Sequence, residues 1–215
     1  MNKRLKYLLI WATFLFAGPI AVYLNTDMQV IGTNRILITN LIQRYLGTAI
    51  FGMLAFQIVF REKISITAHK LSGALIYSLV LLHPALWIVQ NYFLRGSVDI
   101  YYPFIDICGL CKGPGEYFYN SGRLAFWSIT LAVGAAVLVR IIKDKWLSKN
   151  WKNFHVLNYF AFYFVSIHAI GIGSDITHPL FIILFVISHI LVGMTIKRRL
   201  KLVGLKSKLK KLLSL

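Results

Sequence analysis

The sequence predicts an all-α membrane protein, a bundle of six transmembrane helices with both termini in the cytoplasm. Three observations carry that expectation. First, 58% of the 215 residues are hydrophobic, only 14% are charged, and the mean hydropathy is +0.67. A soluble domain is nearer half apolar and about a quarter charged. Second, a bilayer span takes about 20 mostly apolar residues, and six windows qualify, at roughly 7–24, 36–60, 71–94, 122–142, 154–173 and 179–196. Third, the formal charge of +17 is unevenly placed along the chain. With the N-terminus inside, the inner segments hold Lys3, Arg4, Lys6, Arg61, Lys63, Lys70, Arg140, Lys143, Lys145, Lys149, Lys152 and the basic residues from Lys197 onward. The outer loops hold only Arg35, Arg95, Lys112 and Arg123, while Asp27, Asp99, Asp106, Glu116 and Asp175 face outward. This is the positive-inside pattern. It accounts for the high charge without nucleic acid and predicts a multi-pass protein of the plasma membrane.

The opening "MNKRLKYLLIWATFLFAGPIAVYL" has the basic start and apolar core of a signal peptide. Its core is long, however, and no clean small-x-small cleavage site follows, so it is read as the first span. The second span contains Arg44 in "LIQRYLG", roughly two turns from its outer end, and an intramembrane arginine needs a partner. The third runs through "HKLSGALIYSLVLLHP", with His69 at the inner end and His83 in the outer half. An outer loop at roughly 95–121 follows, too short to fold as a separate domain. Its "CGLC" pairs Cys108 with Cys111. Lys112 stands where covalent haem attachment would need histidine. A disulfide staple is the default in an oxidising compartment, and a redox-active pair is the alternative.

Arg123 opens the fourth span and reads equally as a cofactor contact or as an arginine snorkelling to the interface. The fifth span, "HVLNYFAFYFVSIH", repeats the histidine pattern with His155 inside and His168 outside. Its aromatic residues fit core packing and cofactor contact alike. His189, mid-span in the sixth helix, has no partner at ligand spacing and reads as a packed core residue. His178 precedes a proline at the outer boundary. The tail, residues 201–215, is basic and is read as topology plus contact with anionic lipid, with an acidic cytoplasmic partner as the alternative. No GxGxxG, no P-loop and no room for a nucleotide-binding fold is found.

The paired histidines carry the chemistry. At 1.5 Å per residue, separations of 14 and 13 residues are about 21 and 20 Å along each helix. Two parallel helices thus present two histidines at each of two depths. One histidine from each helix at one depth makes an axial ligand pair for haem iron, and facing helices of a bundle are where cofactors are held. Zinc would want several ligands around one ion, and the members of each helix's pair lie too far apart. At 3.6 residues per turn, 14 residues return to within about 40° of the same face, whereas 13 fall about 140° away. The fifth helix must therefore tilt, overwind or approach from a different side.

Six spans with His-x13-His on the third and His-x12-His on the fifth resemble the ferric reductase-like transmembrane domain, the membrane core of NADPH oxidases and ferric reductases. The chain is also similar to the haem-binding subunit of the methionine sulfoxide reductase system. The resemblance implies a domain over residues 1–200 holding two b-type haems, with His69 and His155 on the inner iron and His83 and His168 on the outer iron. It implies Arg44 and Arg123 as contacts for the outer haem. Electrons would pass outward from a cytoplasmic donor to ferric ion, oxygen or a redox protein. With no nucleotide-binding motif in the sequence, flavin is expected only through a separate cytoplasmic flavoprotein, or the donor is a quinol. The alternatives are a quinol-oxidising cytochrome b subunit of a larger complex and a haem-free, proton-coupled transporter.

Overall fold

The computed structural model describes the backbone of residues 2–108, 111 and 113–213, and the side chains of these except 3, 4 and 202–213. Lys112, and the side chains of Lys3, Arg4 and the basic tail, lie outside the described residues. Among the described residues the chain is helical throughout, with no strand. The helices are α1 (Lys3–Leu24), α2 (Met28–Ile31), α3 (Arg35–Phe60), α4 (Ile66–Arg95), α5 (Tyr102–Ile105), α6 (Pro114–Ile141), α7 (Lys145–His155), α8 (Leu157–Ile172) and α9 (Pro179–Leu213). Six stretches are long and apolar enough to cross a membrane: Leu5–Leu24, Arg35–Phe60, Ile66–Arg95, Pro114–Ile141, Lys145–Ile172 and Pro179–Lys201. Six crossings bring both chain ends to one face, here the terminal face; the opposite one is the loop face.

Local chemistry sets the helix ends. Asn34 caps α3 by accepting from Ile36 N at 3.0 Å, Ser65 caps α4 through Ala68 N at 3.1 Å, and Asp144 caps α7 through Leu147 N at 2.7 Å. Such oxygens satisfy amides that the first turn leaves free. Gly96 ends α4 at φ 68° and returns its N–H to Tyr92 O at 2.8 Å, a left-handed position that glycine takes without steric cost. Pro114 and Pro179 stand at the first position of α6 and α9, where the missing N–H costs nothing. Helix α6 therefore starts eight residues before the span expected from hydropathy, because "PGEYFYNS" is polar enough to hide a helical turn.

The centre of the bundle is α3, whose residues from Thr48 to Ile58 are all buried. A helix apolar on every side belongs inside other helices, and α1, α4, α8 and α9 surround it. Helix α6 pairs with α8, and α4 pairs with α3. No close packing joins α4 to α8. That gap between two neighbouring spans is the principal irregularity of the bundle.

The fifth crossing is not one helix. It breaks at Val156, where Val156 N bonds Asn153 O at 3.2 Å and Tyr159 N bonds Val156 O at 3.0 Å. These three-residue bonds wind the chain more tightly than an α-helix. Asn158 stabilises the break by donating to the His155 carbonyl at 3.1 Å. The break, with its tighter bonds, falls between the two histidines of this crossing, directly after His155.

Candidate functional site

The gap between α4 and α8 is where the four histidines meet, in two levels. Near the terminal face the His69 and His155 ring centroids are 6.0 Å apart, with planes at 72°. Near the loop face His83 and His168 are 6.3 Å apart, with planes at 79°. An imidazole–metal bond is about 2.0–2.1 Å and a ring nitrogen sits about 1.1 Å from its centroid, so two rings on opposite sides of one ion have centroids about 6.3 Å apart. Both levels match that separation. The four side chains are half-buried.

What the remaining ring nitrogens touch decides which nitrogen is free. His83 Nδ1 lies 3.0 Å from the Gln43 carbonyl and His168 Nδ1 lies 2.9 Å from the Phe118 carbonyl. A carbonyl only accepts, so each Nδ1 carries the proton and each Nε2 is a bare lone pair. Both contacts use one local device, a carbonyl followed four residues later by glycine. A Cβ on Gly47 would meet His83 at 3.0 Å, and one on Gly122 would meet His168 at 2.6 Å. Missing side chains on α3 and α6 therefore let the imidazoles reach the backbone. At the other level His69 Nδ1 bonds the Gln57 side-chain oxygen. Asn158 Nδ2 lies 3.4 Å from His155 Nδ1. The two partners on α3, Gln43 and Gln57, are thus 14 residues apart, matching the spacing of His69 and His83 on α4.

The two levels differ in room. A cavity of about 750 Å³ surrounds His83 and His168, bordered by Arg44, Pro84, Trp87 and Arg123. Ligand pockets run from about 300 to 1,000 Å³, and the space admits a planar tetrapyrrole. The cleft around His69 and His155 is about 110 Å³, bordered by Gln57, Arg61, Asn158, Tyr159 and Arg199. Buried Ile129 borders both. The ring spacing fits haem iron at both levels, and the enclosed volume fits a whole macrocycle at the loop-face level.

Arg44 and Arg123 both line the larger cavity. Arg44 makes a two-pronged ion pair with Asp175, its Nε 2.8 Å from Oδ2, and Asn25 adds a bond to Asp175 Oδ1 at 3.1 Å. The intramembrane arginine thus finds its partner in the chain itself. Asp175, only 3% exposed, was legible only as an outer-loop acid. Arg123 is 4% exposed and so does not snorkel. Its Nε donates to Tyr102 O at 2.7 Å, its guanidinium lies 4.4 Å from the Tyr102 ring centre, and Asp106 is 3.9 Å away. The terminal nitrogen that faces Asp106 is buried and beyond hydrogen-bond distance of it. Such a group is costly alone, and it suits an anionic ligand edge.

Other positions fall outside the site. His189 bonds its own helix at Phe185 O, 2.8 Å, and is packed among Phe185, Phe162, Phe51 and Tyr163, as expected for a core residue. His178 Nδ1 is buried and unpaired. Lys70 and Lys152 are exposed, and Arg61 and Arg199 take the inward positions instead. Cys108 and Cys111 are joined as a disulfide, and Asn120 donates to the Cys108 carbonyl at 3.2 Å. Gln43, Gln57, Gly47, Gly122 and Asp175 were missed by sequence reasoning. The signal that could have found the glutamines is their spacing on the second span, equal to that of the histidines on the third. No family model, curated protein or solved structure matches this chain.

Proposed function

We propose that this chain carries electrons across the plasma membrane through two bis-histidine b-type haems, as in the ferric reductase-like membrane cores it resembles. His69 and His155 hold the iron near the cytoplasmic face, and His83 and His168 hold the iron near the outer face. The observation that carries the reading is the ring separation, 6.0 and 6.3 Å, repeated on two levels of one gap. Bound haem supplies a one-electron site that alternates between ferric and ferrous iron. The chain's own residues do the rest. Gln43 and Phe118 hold the outer imidazoles in the form that bares Nε2, which is how outer-shell partners orient metal ligands. Arg123 brings positive charge to the acidic edge of the outer group, with the Arg44–Asp175 pair beside it. Buried Ile129 borders both levels. The positive-inside rule sets both termini in the cytoplasm, so the donor, a separate flavoprotein or a quinol, meets the His69 level. The acceptor, ferric ion, oxygen or a redox protein, meets the His83 level.

The difference between 750 and 110 Å³ favours a second reading with one haem, at the outer level. One experiment separates these and also tests the haem-free transporter. Pyridine haemochrome analysis of the purified chain is expected to find two protohaems, with a b-type spectrum on dithionite reduction. His83→Leu and His168→Leu should each lose the outer haem and leave the inner one reducible. His69→Leu and His155→Leu should lose the inner one. A single haem that survives His69→Leu but not His83→Leu establishes the one-haem reading. A colourless chain after expression with ample haem defeats both.

A further inference from the structure

We infer that Gln57 is a positioning residue that locks His69 in its Nδ1–H form and thereby tunes the cytoplasmic-side iron. The inference about the iron rests on the haem reading above; the lock itself does not. Gln57 is 7% exposed on α3, and its amide orientation is determined by its neighbours. Its Nε2 donates to the His69 carbonyl at 3.1 Å and to Ser72 Oγ. Ser72 Oγ in turn donates to the Ala68 carbonyl at 2.7 Å, which spends its one proton and leaves it an acceptor. Both neighbours of Nε2 are therefore acceptors, and the amide cannot be flipped without setting oxygen against oxygen. Oε1 is left facing His69 Nδ1, and an oxygen there requires N–H on the ring. The bare Nε2 of His69 is what remains for the iron.

The loop-face level needs no such residue, because glycine four positions after each acceptor lets the ring reach a main-chain carbonyl. After Gln57 the fourth position is Arg61, just beyond the end of α3. A side-chain amide thus replaces the carbonyl at one ligand of one level. Unlike a carbonyl, it can be changed by substitution, and the two irons can then be tuned apart. Ligand partners of this kind typically change metal affinity by about 10–100-fold when removed.

The test has two arms. In the haem-free chain labelled with 15N-histidine, the His69 signals, assigned by their loss in His69→Leu, are expected to report Nδ1–H. Gln57→Leu should move them toward Nε2–H, and Ser72→Ala, which frees the amide, should do so in part. An unchanged His69 tautomer in Gln57→Leu overturns the lock. In the haem-loaded chain Gln57→Glu keeps an acceptor, adds negative charge at Nδ1–H and so favours ferric iron. One haem should then titrate at a lower potential with the other unchanged, and Gln57→Leu should weaken retention of that same haem by about 10–100-fold. Both potentials and both occupancies unchanged in the two variants overturn the tuning. A wild-type chain without haem defeats the function proposed above while the tautomer measurement still decides the lock.

Discussion

What a histidine's second nitrogen touches separates a packed imidazole from one prepared to bind. His189 spends Nδ1 on its own helix and buries its ring among phenylalanines, so nothing faces it as a ligand partner. His69, His83 and His168 spend Nδ1 on an acceptor of a neighbouring helix, and the four paired rings face one another in two levels. Their ring planes, at 72° and 79°, add a spectroscopic consequence. Parallel imidazole planes donate into one iron d orbital and split it from its partner, whereas perpendicular planes donate into both and leave them nearly equal. Ferric haem at these sites is therefore expected to give the highly anisotropic low-spin EPR signal with one very large g value. An ordinary rhombic low-spin signal would mean that the rings turn parallel on binding. The Arg44–Asp175 pair shows the opposite kind of residue, one that completes itself. Removing one partner of a buried ion pair costs about 3–5 kcal/mol, so this pair anchors α3 to the loop before α9 whether or not a ligand lies beside it.

At the scale of elements, α4, the end of α7 and α8 carry the paired histidines while α3 and α6 aim them. The ligand-bearing helices were legible because histidine in an apolar run stands out against everything around it. The aiming helices were not, since a backbone carbonyl has no letter in the sequence and glycine in a membrane helix usually signals helix packing. Helix α3 was read in register, whereas α6 was read late because its first turns are polar. The break at Val156 was legible only as a conflict, 13 residues where 14 would keep the face. The structure breaks the helix at that point, and the role of the break can be tested. Deleting Val156 turns His155 by about 100° and shifts it about 1.5 Å relative to α8. The inner haem should be lost and the outer one kept, as read by haemochrome content and reduced spectrum. Retention of both would mean that α7 repositions His155 without help from the break.

For the whole molecule, the charge that first suggests a polyanion partner has the distribution expected of an orientation signal. Most of the exposed basic residues among the described residues, including Lys63, Lys70, Lys145, Lys149 and Lys152, belong to the terminal face. Tryptophans at 146 and 151 on the short helix α7 fit the same interface. Orientation matters here because the two levels are chemically unequal. The roomy, arginine-lined cavity belongs to the loop face and the narrow cleft clamped by Gln57 to the terminal face. Reporter fusions after Lys63 and Lys145 are therefore expected to read cytoplasmic, and fusions near Lys112 external. With that topology, a membrane-impermeant reductant added outside intact cells should reach the His83–His168 level first, and reduction from the cytoplasm should require the His69–His155 level. Inverted reporters would exchange the two roles, putting the large cavity against the cytoplasmic donor and the narrow cleft against the acceptor, and the direction of electron flow proposed here would fall with them.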